Sequence, residues 1–120
     1  MSEPAALEVG VLDELCAAVD GDRDFVADLA ETFLTDGARQ LDELEAACTA
    51  GDAAAAVRPA HTLKSSSATV GGMSLAAAAR QAEATARAGD VPTQELALMR
   101  GLWMPLVVAL RSWIDNGGSG

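Results

Sequence analysis

The amino-acid sequence predicts an all-α protein, an antiparallel up-and-down four-helix bundle with an additional short N-terminal helix. Half of the 120 residues are hydrophobic, and much of that half is alanine, the best helix former. Tyrosine is absent and aromatic residues make up only 3% of the chain, so the alternating β-branched and aromatic stretches of strands are missing. Apolar residues instead recur every three or four positions between short helix-stopping stretches.

The N-terminal half is predicted to hold two helices, at 8–19 and 24–50. The stretch DGDRD at 20–24 separates them, and an aspartate there can cap the second helix. The opposite face of the long helix is acidic, which is typical of a solvated surface, and Gly37 within it allows a bend. The apolar positions are Val9, Leu12, Leu15, Cys16 and Val19 in the first helix, and Val26, Leu29, Phe33, Gly37, Leu41, Leu44 and Cys48 in the second.

The third and fourth helices are predicted at 53–70 and 73–88. Gly51 suits a left-handed C′ position and Asp52 an N-cap, so the third helix begins after them. Pro59 leaves two alternatives: the helix kinks there, or regular helix begins near Arg58. The pair Gly71-Gly72 ends this helix. Its inward stripe contains small residues that let the alanine-rich fourth helix approach closely: Val57, Ala60, Leu63, Ser67 and Val70.

The fifth helix is predicted at 93–114, with a second possible bend at Pro105. Its apolar stripe, including two tryptophans assigned to the core, is Leu96, Met99, Trp103, Leu106, Leu110 and Trp113. Short connections between long amphipathic helices favour antiparallel neighbours, so helices two to five form the bundle and the first helix covers one end. We expect one domain at 1–115, a flexible tail at 116–120, and a free-standing protein.

Charge is distributed unevenly along the chain. The formal net charge is −10, but residues 1–52 carry −12 while residues 53–89 carry +3. An overall charge of −10 argues against nucleic-acid binding, because a phosphate backbone repels it. The locally positive segment would tolerate a phosphoryl group or an acidic partner.

The remaining composition predicts a cytoplasmic protein without a membrane segment. There is no N-terminal signal segment and no run of 18 apolar residues. Cys16 and Cys48 lie 32 residues apart without CxxC spacing, as expected of small buried side chains in a reducing compartment.

The single histidine, His61, lies in the stretch RPAHTLKSSSATVGG. It falls about 100° around the helix from Ala60, at or beyond the edge of the buried face, with Lys64 one turn further on. A half-exposed neutral imidazole on a rigid helix is a nucleophile near neutral pH and can accept a phosphoryl group. The ammonium of Lys64 would offset the negative charge of the phosphoryl oxygens. Glu83 and Arg80, on the facing helix, could flank the imidazole ring.

The sequence lacks the residues that metal binding, hydrolysis or ATP binding would need. One histidine without a second histidine or a nearby cysteine makes a poor metal site. The serines at 65–67 lie within a helix rather than at a nucleophile turn, which argues against a hydrolase. No P-loop or glycine-rich nucleotide loop is present, so neither ATP binding nor self-phosphorylation is expected.

At these residues the sequence resembles the histidine-phosphotransfer (HPt) domains of bacterial multistep phosphorelays. The family pattern matches over AHTLKSSSATVGGMSL and beyond, in helix order along nearly the whole chain. Ser65 stands where many members have glycine, and Ala79 and Ala82 replace larger residues, which thins the core between the third and fourth helices. The matching residues are Phe33, His61, Leu63, Lys64, Ser66, Gly71, Leu75, Glu83 and Arg87.

The resemblance implies the following roles. His61 would take a phosphoryl group from the phosphoaspartate of a receiver domain and pass it to the aspartate of another receiver, with Lys64 supporting the phosphoryl group. Receivers and a hybrid histidine kinase are the expected partners, Mg²⁺ would belong to the receiver, and no cofactor or metal of the chain's own is expected. Members are usually monomers. The predicted docking residues, on the surface around His61, are Thr62, Ser65, Ala68, Arg80 and Glu83.

Two other interpretations stay open at this point. The chain could be a receiver-binding adaptor that no longer carries phosphate, although the His61 and Lys64 pair disfavours this. It could also be an unrelated helical adaptor whose histidine is incidental. Arg58, Arg80 and Arg87 are more simply interpreted as surface charges than as contacts.

Overall fold

A computed structural model describes residues 6–116 of the chain. Five helices follow one another: α1 (Val9–Ala18), α2 (Arg23–Thr49), α3 (Ala53–Thr69), α4 (Met73–Arg87) and α5 (Thr93–Asp115). The described residues contain no strand, which confirms the all-α prediction. Each helix boundary lies within one residue of its prediction, and most of the predicted tail lies outside the described residues.

Local capping explains where α2 and α3 begin. The carboxylate of Asp22 accepts a hydrogen bond from the backbone N–H of Phe25 at 3.0 Å, and that of Asp52 accepts one from Ala55 at 3.1 Å. Each satisfies an N–H group that has no partner within its own helix. Gly51 has φ of 69°, the left-handed conformation expected at the end of α2.

Both prolines within helices are accommodated without ending them. α3 is regular from Ala53 and continues through Pro59, so the alternative that regular helix begins near Arg58 is wrong. Pro59 removes a single backbone donor, while the Asp52 cap holds the first turn and the proline ring itself is buried. α5 likewise continues through Pro105.

The four long helices form a closed ring of neighbours. α2 packs against α3 and α5, and α4 also packs against α3 and α5, which leaves α3 diagonal to α5. α1 lies against α2 and covers the end of the bundle at the α3–α4 turn, where the N–H of Glu8 donates to the carbonyl of Gly71 at 2.8 Å. Gly71 has φ of 88°, and a Cβ there would lie 2.6 Å from the Glu8 carbonyl, so this turn requires glycine.

Between α2 and α5 the core is built around Trp103. Its ring packs against Phe33 with a centroid distance of 5.5 Å. Gly37 makes this approach possible, because a Cβ there would lie 2.7 Å from the Cη2 atom of Trp103. Trp103 and Trp113 are both buried, as predicted for the α5 stripe.

Between α3 and α4 the core is built from small side chains. Ala60 on α3 and Ala79 and Ala82 on α4 are fully buried. The predicted inward stripe of α3 is buried except for Val57, which is partly buried. Small residues at these positions let the two helices approach closely, and the residues beside them can then reach from one helix to the other.

By length and composition α5 could also cross a membrane. Its mean hydropathy reaches 1.2 over an 18-residue window, of which 28% is buried within the protein. The buried stripe of this helix is part of the bundle core, as in core helices that meet the same criteria. The expectation that no membrane is involved stays a prediction.

Candidate functional site around His61

His61 lies on the solvent side of α3, in the middle of the helix. The residue before it, Ala60, is fully buried, whereas the His61 side chain is 53% exposed. This agrees with the position predicted from the helical period. The backbone that carries the ring belongs to a packed core helix, so the imidazole is presented to solvent from a rigid support.

Beneath the ring lies Glu83 of α4, whose side chain is only 8% exposed. Its Oε2 atom is 2.9 Å from Nδ1 of His61. Glu83 and Ser67 are the two buried polar residues in the described part of the chain. Burying a carboxylate costs free energy unless the group is paired and hydrogen-bonded. The other contacts of Glu83 therefore determine whether it is ionised.

Two cations complete the cluster around Glu83. Lys64 Nζ lies 2.8 Å from Oε1, and Arg87 approaches Oε2 with Nε at 2.9 Å and Nη2 at 2.8 Å. The hydrogen bond from Lys64, then that from Arg87, and to a lesser degree that from His61, lower the pKa of Glu83 to about 2, against the opposing effect of burial. Glu83 is therefore ionised at neutral pH.

The charge of Glu83 determines the tautomer of His61. An ionised carboxylate only accepts hydrogen bonds, so Nδ1 of His61 must carry the proton of their contact. In the neutral ring Nε2 then holds the free lone pair. The arrangement orients the imidazole and makes Nε2 the nucleophilic nitrogen.

Arg87 is the member of this cluster that sequence reasoning assigned to the surface. Its side chain is indeed 62% exposed, yet its guanidinium is held on Glu83. A sequence feature that indicates this contact is the spacing of four residues, which places Glu83 and Arg87 on one face of α4. Arg80 does not flank His61 through any hydrogen bond or ion pair among the described residues.

The predicted docking residues divide between the two sides of α3. Thr62 lines a cleft of about 250 Å³ between α2 and α3, together with Phe33 and Asp36. Ala68 and Arg80 line a wider groove, about 610 Å³, between α3 and α4. Ser65 is exposed on α3. Within residues 6–116, His61 and Lys64 each contact Glu83, and no hydrogen bond or ion pair joins the other predicted site residues to this cluster.

Residues 6–116 contain no group of three histidine, cysteine, aspartate or glutamate side chains arranged to hold a metal ion. The residues around His61 supply one carboxylate, and this carboxylate is already taken by two cations.

These features coincide with a family assignment. The family model for the Hpt domain matches residues 28–116, which contain the whole His61 cluster. The chain belongs to the Hpt domain family. Hpt domains are histidine phosphotransfer intermediates of phosphorelays, where they work with receiver domains and kinases and have no independent catalytic turnover.

A solved structure supports the same assignment. The chain is similar to histidine-containing phosphotransfer protein B (HptB) from Pseudomonas aeruginosa PAO1, with 27% sequence identity and a TM-score of 0.85. The similarity covers 96% of this chain and 98% of that protein, so the two share their fold over nearly the whole length of both. No curated protein matches the chain.

Proposed function

We propose that this Hpt domain accepts a phosphoryl group on Nε2 of His61 from the phosphoaspartate of a receiver domain and passes it to the aspartate of another receiver. The observation that supports this proposal is the exposed imidazole of His61, held through Nδ1 by the ionised, buried carboxylate of Glu83. The pair selects one tautomer and one ring orientation before any partner arrives.

The transfer step is a single displacement at phosphorus. The lone pair of Nε2 forms the N–P bond while the bond between phosphorus and the aspartyl oxygen breaks, and the aspartate leaves as a carboxylate. No proton needs to move, because Nδ1 already carries its hydrogen. The ring becomes cationic as the bond forms, and the adjacent Glu83 carboxylate stabilises that charge. Onward transfer is the reverse of this step with a different aspartate.

Lys64 supports the transferred group. Its ammonium is one turn from His61 and partly exposed, and it has two further N–H donors besides the one directed at Glu83. Phosphoryl transfer depends mainly on positioning and charge stabilisation, and Mg²⁺ for the step would come from the receiver. The domain then needs neither ATP nor a cofactor of its own. We place it in the cytoplasm, as a monomer that meets receivers and a hybrid histidine kinase.

Receivers would dock on the surface around His61. Thr62, Ser65 and Ala68 follow it on α3, and Arg80 faces the same helix from α4. The small side chains of the three α3 residues leave room for the receiver's active-site loops to reach Nε2. α1 covers the end of the bundle beside this surface and can add contacts.

The experiment is transfer from phosphorylated receiver domains of the host to the wild type and to His61→Gln. We expect acid-labile, base-stable label on the wild type and none on the variant, with circular dichroism showing that both are helical. Label on His61→Gln would overturn the assignment of His61.

The second candidate is a receiver-binding adaptor without phosphotransfer. It predicts receiver binding but no label on the wild type from any host receiver. The intact cluster of His61, Lys64 and Glu83 favours the relay, because an adaptor has no use for an oriented nucleophile.

A further inference from the structure

Arg58 lies on the exposed side of α3, one helical turn before His61. Residues three apart on a helix are neighbours, with about 5–6 Å between their Cβ atoms. Helical side chains lean toward the N-terminus of their helix, which brings the imidazole of His61 toward the turn that carries Arg58. Lys64 lies one turn after His61, so the phosphoacceptor has a cation on each neighbouring turn of its own helix.

The two cations differ in what they already contact. Nζ of Lys64 lies 2.8 Å from Oε1 of Glu83, so that carboxylate offsets part of the lysine charge. The guanidinium of Arg58 forms no hydrogen bond or ion pair with any residue of the range 6–116. All five of its N–H donors therefore stay available to a group that arrives at His61.

The acidic residues on the two sides of α3 already have cationic partners. On the α4 side, Glu83 is paired with Lys64 and Arg87. On the α2 side, Asp36 lines the cleft beside Thr62, and its Oδ1 atom lies 3.4 Å from Nη2 of Arg39. Neither carboxylate pairs with the guanidinium of Arg58, so its charge is not cancelled by a contact within the described part of the chain.

A phosphoryl group on Nε2 of His61 is an anion that a guanidinium suits. Its negative charge is spread over three oxygens, and Lys64 can neutralise part of it while remaining shared with Glu83. An arginine side chain is always charged, and its planar fork can donate two parallel hydrogen bonds to two phosphoryl oxygens. Arg58 supplies this group at helical spacing, without any movement of the backbone.

We infer that Arg58 binds the oxygens of the phosphoryl group on Nε2 of His61, from the turn opposite to Lys64, and so stabilises the phosphorylated domain. This inference rests on the part of the proposed function that makes His61 the phosphoacceptor. The contact is with the transferred group itself and not with the receiver, so it acts with any phosphodonor and persists after the donor has left.

Labelling by phosphoramidate tests the contact without a partner protein. Nε2 of His61 attacks phosphorus, the P–N bond of the donor breaks, and ammonia leaves with the electron pair of that bond. We expect Arg58→Gln to lower the rate of labelling by roughly three- to tenfold at low salt, and less at high salt. Arg58→Lys keeps the charge without the planar fork and should recover part of the loss.

The matched control is Arg111→Gln, which removes the same side chain from α5, diagonal to α3. Arg111 is exposed and pairs with Glu31 of α2, and an exposed pair of this kind contributes little to stability. This variant should be labelled within about a factor of two of the wild-type rate. Circular dichroism checks that each variant is folded.

Reversible transfer with a receiver distinguishes a phosphoryl contact from a docking contact. The equilibrium between phosphoaspartate and phosphohistidine depends on the free proteins, so a residue that contacts only the receiver changes both rates and leaves their ratio unchanged. Arg58→Gln should shift the equilibrium toward the receiver by roughly three- to tenfold at low salt. Arg111→Gln should leave it within about a factor of two.

The outcomes separate this inference from the proposed function. If Arg58→Gln matches the wild type in both the phosphoramidate rate and the transfer equilibrium, the inference is wrong and the proposed function stands. A change in the rate of receiver transfer alone would make Arg58 a docking residue, which also overturns the inference. If phosphoramidate labels His61 but no host receiver does, the relay fails and the phosphoramidate rates decide the inference. If neither donor labels His61, both fail.

Discussion

Two buried side chains, Glu83 and Trp103, reach from one helix to the next by opposite means. Trp103 enters a space that Gly37 leaves open and touches Phe33, all by apolar contact. Glu83 is at least as buried as Trp103, but it is a carboxylate surrounded by His61, Lys64 and Arg87. The first arrangement removes apolar surface from water, and the second arranges charges.

The Trp103 contact mainly stabilises the fold, whereas the Glu83 cluster mainly fixes the geometry of His61. Burial of a large apolar side chain contributes several kcal/mol to the free energy of unfolding. A buried carboxylate with cationic partners contributes less, because the cost of removing charge from water offsets most of the attraction. What the Glu83 cluster provides is a single orientation and tautomer for His61.

The largest expected effect is on the apolar side. Trp103→Ala should lower the free energy of unfolding by about 3 to 5 kcal/mol, through lost transfer free energy and the cavity left between α2 and α5. Urea unfolding followed by circular dichroism measures this. The fraction that remains folded should transfer phosphate at the rate of the wild type, since Trp103 has no part in the His61 cluster. A rate defect in fully folded Trp103→Ala would contradict this separation.

A smaller effect, on the rate of phosphoryl transfer rather than on stability, is expected when Glu83 is replaced. Glu83→Ala removes the acceptor for Nδ1 of His61 and should lower the rate of transfer by at least about tenfold, as in other sites where a carboxylate orients a histidine. Glu83→Gln keeps an acceptor oxygen and should recover most of that loss.

Nitrogen-15 NMR of the imidazole supplies a readout that a purely structural role would not move. The wild type should show the proton on Nδ1, and Glu83→Ala a mixture of tautomers. The positioning role is wrong if the tautomer is unchanged in Glu83→Ala.

The remaining prediction concerns the pH dependence of stability. The folded-state pKa of Glu83 is lowered from 4.5 to about 2, so its ionised form stabilises the fold fully above pH 4.5, and this stabilisation is lost as the pH falls through 2. The difference in unfolding free energy between the wild type and Glu83→Gln should be constant from about pH 7 to 5 and change progressively below that. Urea unfolding at several pH values measures it. A difference that does not vary with pH would exclude a lowered pKa.

Local signals account for the parts of the fold that were predicted. Asp22 and Asp52 cap helices through contacts only three residues away, and the left-handed Gly51 follows from its own lack of a side chain. The exposure of His61 follows from the period of α3. Whether α3 continues through Pro59 was ambiguous from the sequence. The free-energy cost of a proline there depends on the cap of the helix and on the burial of the ring, which a local pattern does not show.

Contacts between helices were harder to anticipate. Arg87 was interpreted as a surface charge, and its side chain is exposed, but its guanidinium pairs with the buried Glu83, which also contacts His61 and Lys64 on α3. Similarly, Gly37 was interpreted as a place where α2 could bend. In the structure its missing side chain leaves the space that the Trp103 ring occupies. Each case depends on how far one helix is shifted and rotated against another.

Five helices, their boundaries, the exposure of His61 and the position of Lys64 one turn away could all be predicted from the sequence, since they follow from interactions within a few residues. That Lys64, Arg87 and His61 meet on one carboxylate is apparent only from the tertiary structure. The physical reason is that the small core residues Ala60, Ala79 and Ala82 set the approach of α3 and α4, and the positions of charged groups across that interface depend on this packing.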